Sequence, residues 1–224
     1  MISREEESLT RTAILERTPS NREGKIQKSI EEKIDDADIL TDFDGTMIRE
    51  ESQYLEILAY FLFRDHNHIK FVKEVAKEYL DYKRTKNVSG FYSLFKGCPV
   101  EVLDKVARKL SQNEEWDELI EKEKPEKVGV LSRNNWRIIS EYLSQLNYPS
   151  SKINIAAANI PEIENGIYTG KSKISVGNEN LAFLIGKKEY ICKEEEKRII
   201  EKSDDFNCKR LKGGLYICKK RKLK

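Results

Sequence analysis

Two aspartates, Asp42 and Asp44, stand two residues apart at the end of the run Ile39-Leu40-Thr41, with Phe43 between them and Gly45-Thr46 behind them. Ile39, Leu40 and Phe43 have the pattern of buried strand positions, and Gly45-Thr46 reads as the turn that ends the strand. The two acids therefore meet at a strand's carboxyl end, where burying carboxylates is costly unless cations or hydrogen-bond donors compensate them. One solution is a tight turn with a cap or salt bridge for each acid. The other is chemical: with Mg²⁺ and a phosphoryl group present, one carboxylate is the nucleophile and the second, two residues on, faces the same site as proton donor.

Acids so placed need a sheet to hold them. Val128-Gly129-Val130-Leu131-Ser132 reads as a second strand, followed by a helix with Trp136, Ile139, Leu143 and Leu146 on one face, half of a βαβ unit. Residues 152–157 read as a third strand, and Gly166 and Gly170 punctuate a hairpin or flap around Ile167-Tyr168-Thr169. Residues 189–192 read as a fourth strand, followed by a helix from about Lys193 to Lys202, and residues 214–218 as a last, edge strand. Parallel strands joined by helices make an open α/β sheet whose ligand crevice lies outside the strand carboxyl ends. Asp42, Asp44 and Ser132 all fall at such ends.

Between the first two strands lie about 80 residues of helical pattern. Tyr54, Leu55, Leu58, Phe61 and Leu62 recur at steps of three and four, as do Val72, Val75, Ala76, Tyr79 and Leu80. Pro99 then opens a helix with Val102, Leu103, Val106 and Leu110 as its buried face. This predicts a helical cap over 48–124 inserted after the first strand, the alternative being helices that simply cover the sheet. Residues 37–47 and 125–218 form the core. Residues 1–36 read as a polar extension: a loose tail to the turn Thr18-Pro19-Ser20-Asn21, then a short helix carrying Ile26, Ile30 and Ile34. Residues 219–224 read as a solvated basic tail.

Length and composition narrow the field. A chain of 224 residues holds one mid-sized core and an insertion. Charged residues are 36% of it, but 41 Lys plus Arg against 39 Asp plus Glu make no global field for nucleic acid. Four cysteines without C-x-x-C spacing give no zinc site, and free buried thiols are expected. No apolar run approaches 18 residues, so no membrane partner and a cytoplasmic monomer or homodimer are expected. His66 and His68 lack a third ligand, and there is neither a G-x-x-x-x-G-K-S/T loop nor a G-x-S-x-G elbow.

The segment Asp42-Phe43-Asp44-Gly45-Thr46 resembles the first signature of the haloacid dehalogenase superfamily, D-x-D-G-T after a buried strand. Ser132, 90 residues after Asp42 and beyond a helical insertion, stands where that family has its second motif. The likeness narrows to the phosphoserine phosphatase-like subgroup through Glu51, nine residues after Asp42, through Ser93-Leu94-Phe95-Lys96-Gly97-Cys98-Pro99, and through Ala158-Asn159, Asn165-Gly166 and Thr169-Gly170-Lys171. It covers about residues 37 to 200. It implies a Rossmann-like α/β core with a parallel sheet and a helical cap, and Mg²⁺-dependent hydrolysis of a small phosphorylated metabolite. Asp42 would form an aspartyl-phosphate, Asp44 would act as acid and base, and Ser132 would hydrogen-bond the transferring phosphoryl. Thr46, Glu51, Arg133 and Asn134 would bind substrate.

Two positions depart from that pattern. The family's third motif, a lysine, has no counterpart in Gly177-Asn178-Glu179-Asn180-Leu181, which leaves Lys171, Lys173, Lys187 and Lys188 as candidates, Lys173 being preferred on the flap. The fourth motif should follow Ile191 as G-D-x-x-x-D, but the chain reads Cys192-Lys193-Glu194-Glu195-Glu196, with a lysine in the acid's place. Glu194 or Glu195 is then the expected metal ligand beside Asp42 and Asp44, Glu194 being preferred, unless the three glutamates are a solvated first helical turn. Phe91 stands where the subgroup has an arginine for the substrate carboxylate, so phosphoserine is not the expected substrate. The competing expectation is a binding or regulatory protein on the same fold.

Overall fold

In the computed structural model of the chain, the residues described are 21–63, 68–85, 89–146, 152–173, 176–177, 180–202 and 205–221. The expected turn at 18–20, His66, Asn178, Glu179 and the last three residues of the basic tail lie outside them. In chain order the elements are α1 (Asn21–Asp36), β1 (Ile39–Thr41), α2 (Ser52–Phe63), α3 (His68–Thr85), α4 (Ser89–Leu94), α5 (Val100–Ala107), α6 (Glu114–Glu123), β2 (Val128–Asn135), α7 (Trp136–Leu143), β3 (Ile153–Glu164), β4 (Ile167–Lys173), α8 (Leu181–Ile185), β5 (Glu189–Cys192), α9 (Glu194–Glu201), β6 (Phe206–Arg210) and β7 (Tyr216–Lys220).

The seven strands form one sheet in the order β4-β3-β2-β1-β5-β7-β6. The central four, β3-β2-β1-β5, are parallel; β4 is antiparallel to β3, β7 to β5, and β6 to β7. Both faces are covered, so the strands are apolar on both sides. Ile39, Val130 and Ile191 join one core cluster with Trp116, Ile120 and Ile138. Their strand neighbours Leu40, Leu131 and Tyr190 join the other with Ile34, Leu184 and Ile200. Gly129 lets the layers close: a Cβ there would lie 2.8 Å from Leu40 Cδ2 and 3.0 Å from the Ala37 Cβ. The fold is α/β with a mostly parallel sheet.

Several local expectations are corrected. The strand expected at the edge, β7, lies between β5 and β6 and extends through Lys219 and Lys220, and the edge is β6. Cys208 and Cys218 are cross-strand partners there, their Cα atoms 4.0 Å apart, and they form a disulfide, so only Cys98 and Cys192 are free buried thiols. Register across the β6–β7 hairpin, which sequence spacing does not reveal, makes that pair. Among the described side chains of α2, Ser52, Glu56 and Tyr60 are buried, whereas Leu55, Leu58 and Leu62 are exposed. In α3 Phe71 is buried and Val72 and Leu80 are exposed, and in α7 Trp136 is exposed while Ile138, Ile139 and Tyr142 are buried. In α5, by contrast, Leu103 and Val106 are buried as expected.

Candidate active site

Parallel register decides what meets at the cleft. Thr41 pairs with Val130 on one side and Ile191 on the other, so the chain leaves the sheet side by side at Asp42, near Ser132 and at Lys193. The Asp42 N–H still bonds to the Ile191 carbonyl at 2.8 Å. The backbone then turns through Phe43–Met47 with Gly45 at φ 63°. A Cβ on Gly45 would be strained, and it would lie 2.9 Å from Lys193 Cδ and 3.1 Å from Glu51 Oε1. The glycine therefore serves both the turn and the approach of Lys193.

Ser132, Arg133 and Asn134, three successive residues of β2, all line the cleft. A regular strand sends neighbours to opposite faces. Here the β2–β3 pairing shifts register between Leu131 and Asn135, and that irregularity turns all three toward the site. Asn134 ties the strand ends together: its Nδ2 donates to Asp44 Oδ2 at 2.8 Å and also bonds Ser52 Oγ, and its N–H donates to Ser132 Oγ at 3.2 Å.

Asp44 sits at the amino end of α2, where the Ser52 N–H donates to its Oδ1 at 2.8 Å. Burial nevertheless pushes its carboxyl up to about 6, against the pull of that N–H. Asp42 is held well above the usual carboxylate range, by burial first and the Glu196 charge second, while Lys193 pulls it down. Behind Asp44, Glu56 is buried with Ser52 Oγ donating to it at 3.2 Å, and burial followed by the Asp44 charge pushes it up to about 8.

Two cations reach the cleft. The Arg133 guanidinium pairs with Glu196 and donates to the Tyr82 hydroxyl at 3.3 Å. The Lys193 ammonium pairs with Glu51. Burial works against both charges, but the facing acids outweigh it and raise both pKa values: Glu196 first for Arg133, Asp42 first for Lys193. Glu196 Oε2 is buried without a hydrogen-bond partner. The opposite wall comes from the helices: Tyr54 and Ile57 of α2, Tyr79 and Tyr82 of α3, and Phe91 of α4, with the Tyr82 and Phe91 rings 5.5 Å apart. None of these five is charged.

The cleft thus gathers Asp42, Asp44, Glu51, Ser132, Arg133 and Asn134. It leaves out three expected residues. Thr46 is fully buried behind Asp42, its Oγ1 3.5 Å from Asp42 Oδ2, so it positions that carboxylate and cannot touch a ligand. Lys173 closes the β4 ladder opposite Ile160, away from the cleft lining. Glu194 turns outward to Arg198 at 3.1 Å and Lys197 at 3.7 Å, as a first-turn glutamate does when nothing draws it inward. Glu196, two residues on, is drawn in and buried, and Glu195, the other expected ligand, lines the cleft as an exposed side chain. Glu56 and Tyr82 had no signal in local sequence, whereas Lys193 was visible as the lysine in the acid's place and Glu196 as the last of the three glutamates that follow it.

The donor set does not fit Mg²⁺. That ion asks for near-octahedral oxygen ligation. Among the described residues no three Asp, Glu, His or Cys side chains come together as ligands. Glu51 is engaged by Lys193 and one oxygen of Glu196 by Arg133, and Asp42 faces both cations. A doubly charged ion about 4 Å from an ammonium meets roughly 8 kcal/mol of repulsion at an effective dielectric of about 20.

No family model matches the chain, and no curated protein matches it. Solved structures do. The chain is similar to phosphoserine phosphatase in apo form, with 22% identity, a TM-score of 0.47 and 64% of each chain covered. It is similar to a substrate-bound phosphoserine phosphatase complex, with 21% identity, a TM-score of 0.45, and 66% of this chain and 69% of that one covered. It is also similar to a HAD family hydrolase from Salmonella enterica serovar Typhi, with 20% identity, a TM-score of 0.44, and 66% and 50% covered. The chain spans just under two thirds of the first of these, 64%. Among the described residues no helix is long and apolar enough to cross a membrane.

Proposed function

We propose that the chain hydrolyses a small phosphate monoester through an aspartyl-phosphate on Asp42. One observation supports this most: Asp42, Asp44 and Ser132 lie in a single cleft with Arg133 and Lys193, two acids and a hydroxyl beside two cations. An Asp42 oxygen attacks phosphorus, the bond from phosphorus to the ester oxygen breaks, and Asp44 gives its proton to the departing alcohol. Water then attacks the aspartyl-phosphate, Asp44 takes a proton back, and phosphate leaves with Asp42 restored. Asp44, raised to about 6 and fixed by Ser52 and Asn134, suits a group that gives and takes a proton near neutrality. Ser132, Arg133 and Lys193 offer the donors and charge that phosphoryl transfer needs held in place. Among the described residues the helix wall of tyrosines and Phe91 carries no cation for a substrate carboxylate, which favours an ester whose alcohol is apolar or aromatic.

A second reading, a protein that holds a phosphorylated ligand without turning it over, is favoured by the Lys193–Glu51 pair, which stands where the resemblance calls for a metal-binding acid. Hydrolysis of a generic aryl phosphate, with and without Mg²⁺, beside Asp42→Asn separates the two. Turnover lost in the variant supports the enzyme. Equal traces in both proteins support the binding protein.

A further inference from the structure

Lys193 lies in an acid-rich cleft lined by Asp42, Asp44, Glu51, Glu195 and Glu196. Its side chain is 15% exposed and paired with Glu51. Its stem crosses over Gly45, so that Nζ is 3.4 Å from where a Cβ on residue 45 would stand. The ammonium also acts on Asp42, the carboxylate that a divalent ion would have to share. Such an ammonium brings three hydrogen-bond donors and a fixed charge. Those are what phosphoryl oxygens ask for beside a nucleophilic carboxylate.

We infer that Lys193 is the resident cation of this cleft: it stands where a divalent ion would stand, keeps one out, and with Arg133 supplies the positive partners of a bound phosphate. The second half rests on the phosphate-ester reading of the same cleft. The first half, exclusion of the ion, is measured without any substrate.

The full chain is titrated with Mn²⁺ followed by electron paramagnetic resonance, and with inorganic phosphate in EDTA followed by calorimetry. Wild type is expected to leave Mn²⁺ free at millimolar concentrations. Lys193→Asp, which sets a third carboxylate beside Asp42 and Asp44, is expected to bind it at least roughly tenfold more tightly. Phosphate is expected to bind wild type equally with and without EDTA, and to bind roughly tenfold more weakly to Lys193→Met, which keeps a stem over Gly45 and loses the ammonium with its charge and donors. Circular dichroism melts establish that both variants fold. Wild type that holds Mn²⁺ at micromolar concentrations, or Lys193→Asp that holds no more than wild type, overturns the exclusion. Equal phosphate binding by wild type and Lys193→Met overturns the role of the ammonium and leaves the phosphate-ester reading standing. Phosphate that binds in neither buffer defeats that reading while the Mn²⁺ result still decides the exclusion.

Discussion

The two walls of the cleft are built differently. The sheet wall, at the ends of β1, β2 and β5, holds Asp42, Asp44, Ser132 and Asn134 almost wholly buried, and Asp44 and Asn134 each make more than one hydrogen bond. On the helix wall Tyr54 is 61% exposed and Tyr79 39%, and farther along the same helices Leu62 is 71% exposed. A buried, hydrogen-bonded polar wall fixes geometry to a fraction of an ångström, which bond making requires. An exposed aromatic wall offers shape and area, which selects among ligands without fixing an atom. On the proposed reading, chemistry belongs to the first wall and choice of substrate to the second.

Substitutions that strike one wall and spare the other sharpen this contrast. The largest effect is expected from Trp116→Ala behind β1, where the fully buried indole donates to Thr41 Oγ1 at 2.9 Å. A loss of roughly 3–5 kcal/mol of stability should appear in urea melts. Asn134→Ala removes the donor shared by Asp44 and Ser52, and steady-state kinetics on an aryl phosphate should show kcat lower on the order of a hundredfold with KM little changed.

Glu56 gives a pH test of the buried wall. Folded Glu56 keeps its proton up to about 8, against an ordinary 4.5. The folded state therefore binds more protons in between, so this stabilising contribution is full below the ordinary value and is lost as pH rises through about 8. Glu56→Gln should flatten the fall, by up to about 1.4 kcal/mol per pH unit, in urea melts between about pH 5 and 9. On the helix wall, Tyr79→Ala should raise KM for an aryl phosphate roughly threefold to tenfold and leave kcat within about twofold. A kcat loss as large as that of Asn134→Ala would break the contrast. Leu62→Ser should move stability by no more than about 0.5 kcal/mol.

What could be read from sequence was what is local. The turn after β1, the strand that carries Ser132 and the presence of a hairpin after β3 each announce themselves within a few residues, because turn chemistry and strand periodicity act at that range, but the ends do not: β2 runs on to Asn135, β3 runs to Glu164, and the hairpin turns at Asn165-Gly166, with Ile167-Tyr168-Thr169 opening β4. The α5 helix opened by Pro99 was legible for the same reason. Lys193 and Glu196 stand in a run that the sequence marks, but which of its side chains turns inward depends on the register of β5 against β1, which no local pattern encodes. The face of α2 was misread because Leu55, Leu58 and Leu62 make the stronger apolar stripe, while Asp44 and Asn134 draw Ser52 inward and Glu56 follows through its bond to Ser52. Side-chain hydrogen bonds to a distant strand outweighed helix periodicity there. The Cys208–Cys218 bond likewise depends on a hairpin register that spacing alone leaves open.

The most direct test of the proposed chemistry is an acid quench during turnover of an aryl phosphate, followed by peptide mass spectrometry. A phosphoryl group on the peptide that carries Asp42, absent in Asp42→Asn, is the expected result. Label on any other residue, or wild-type hydrolysis by Asp42→Asn, would contradict it.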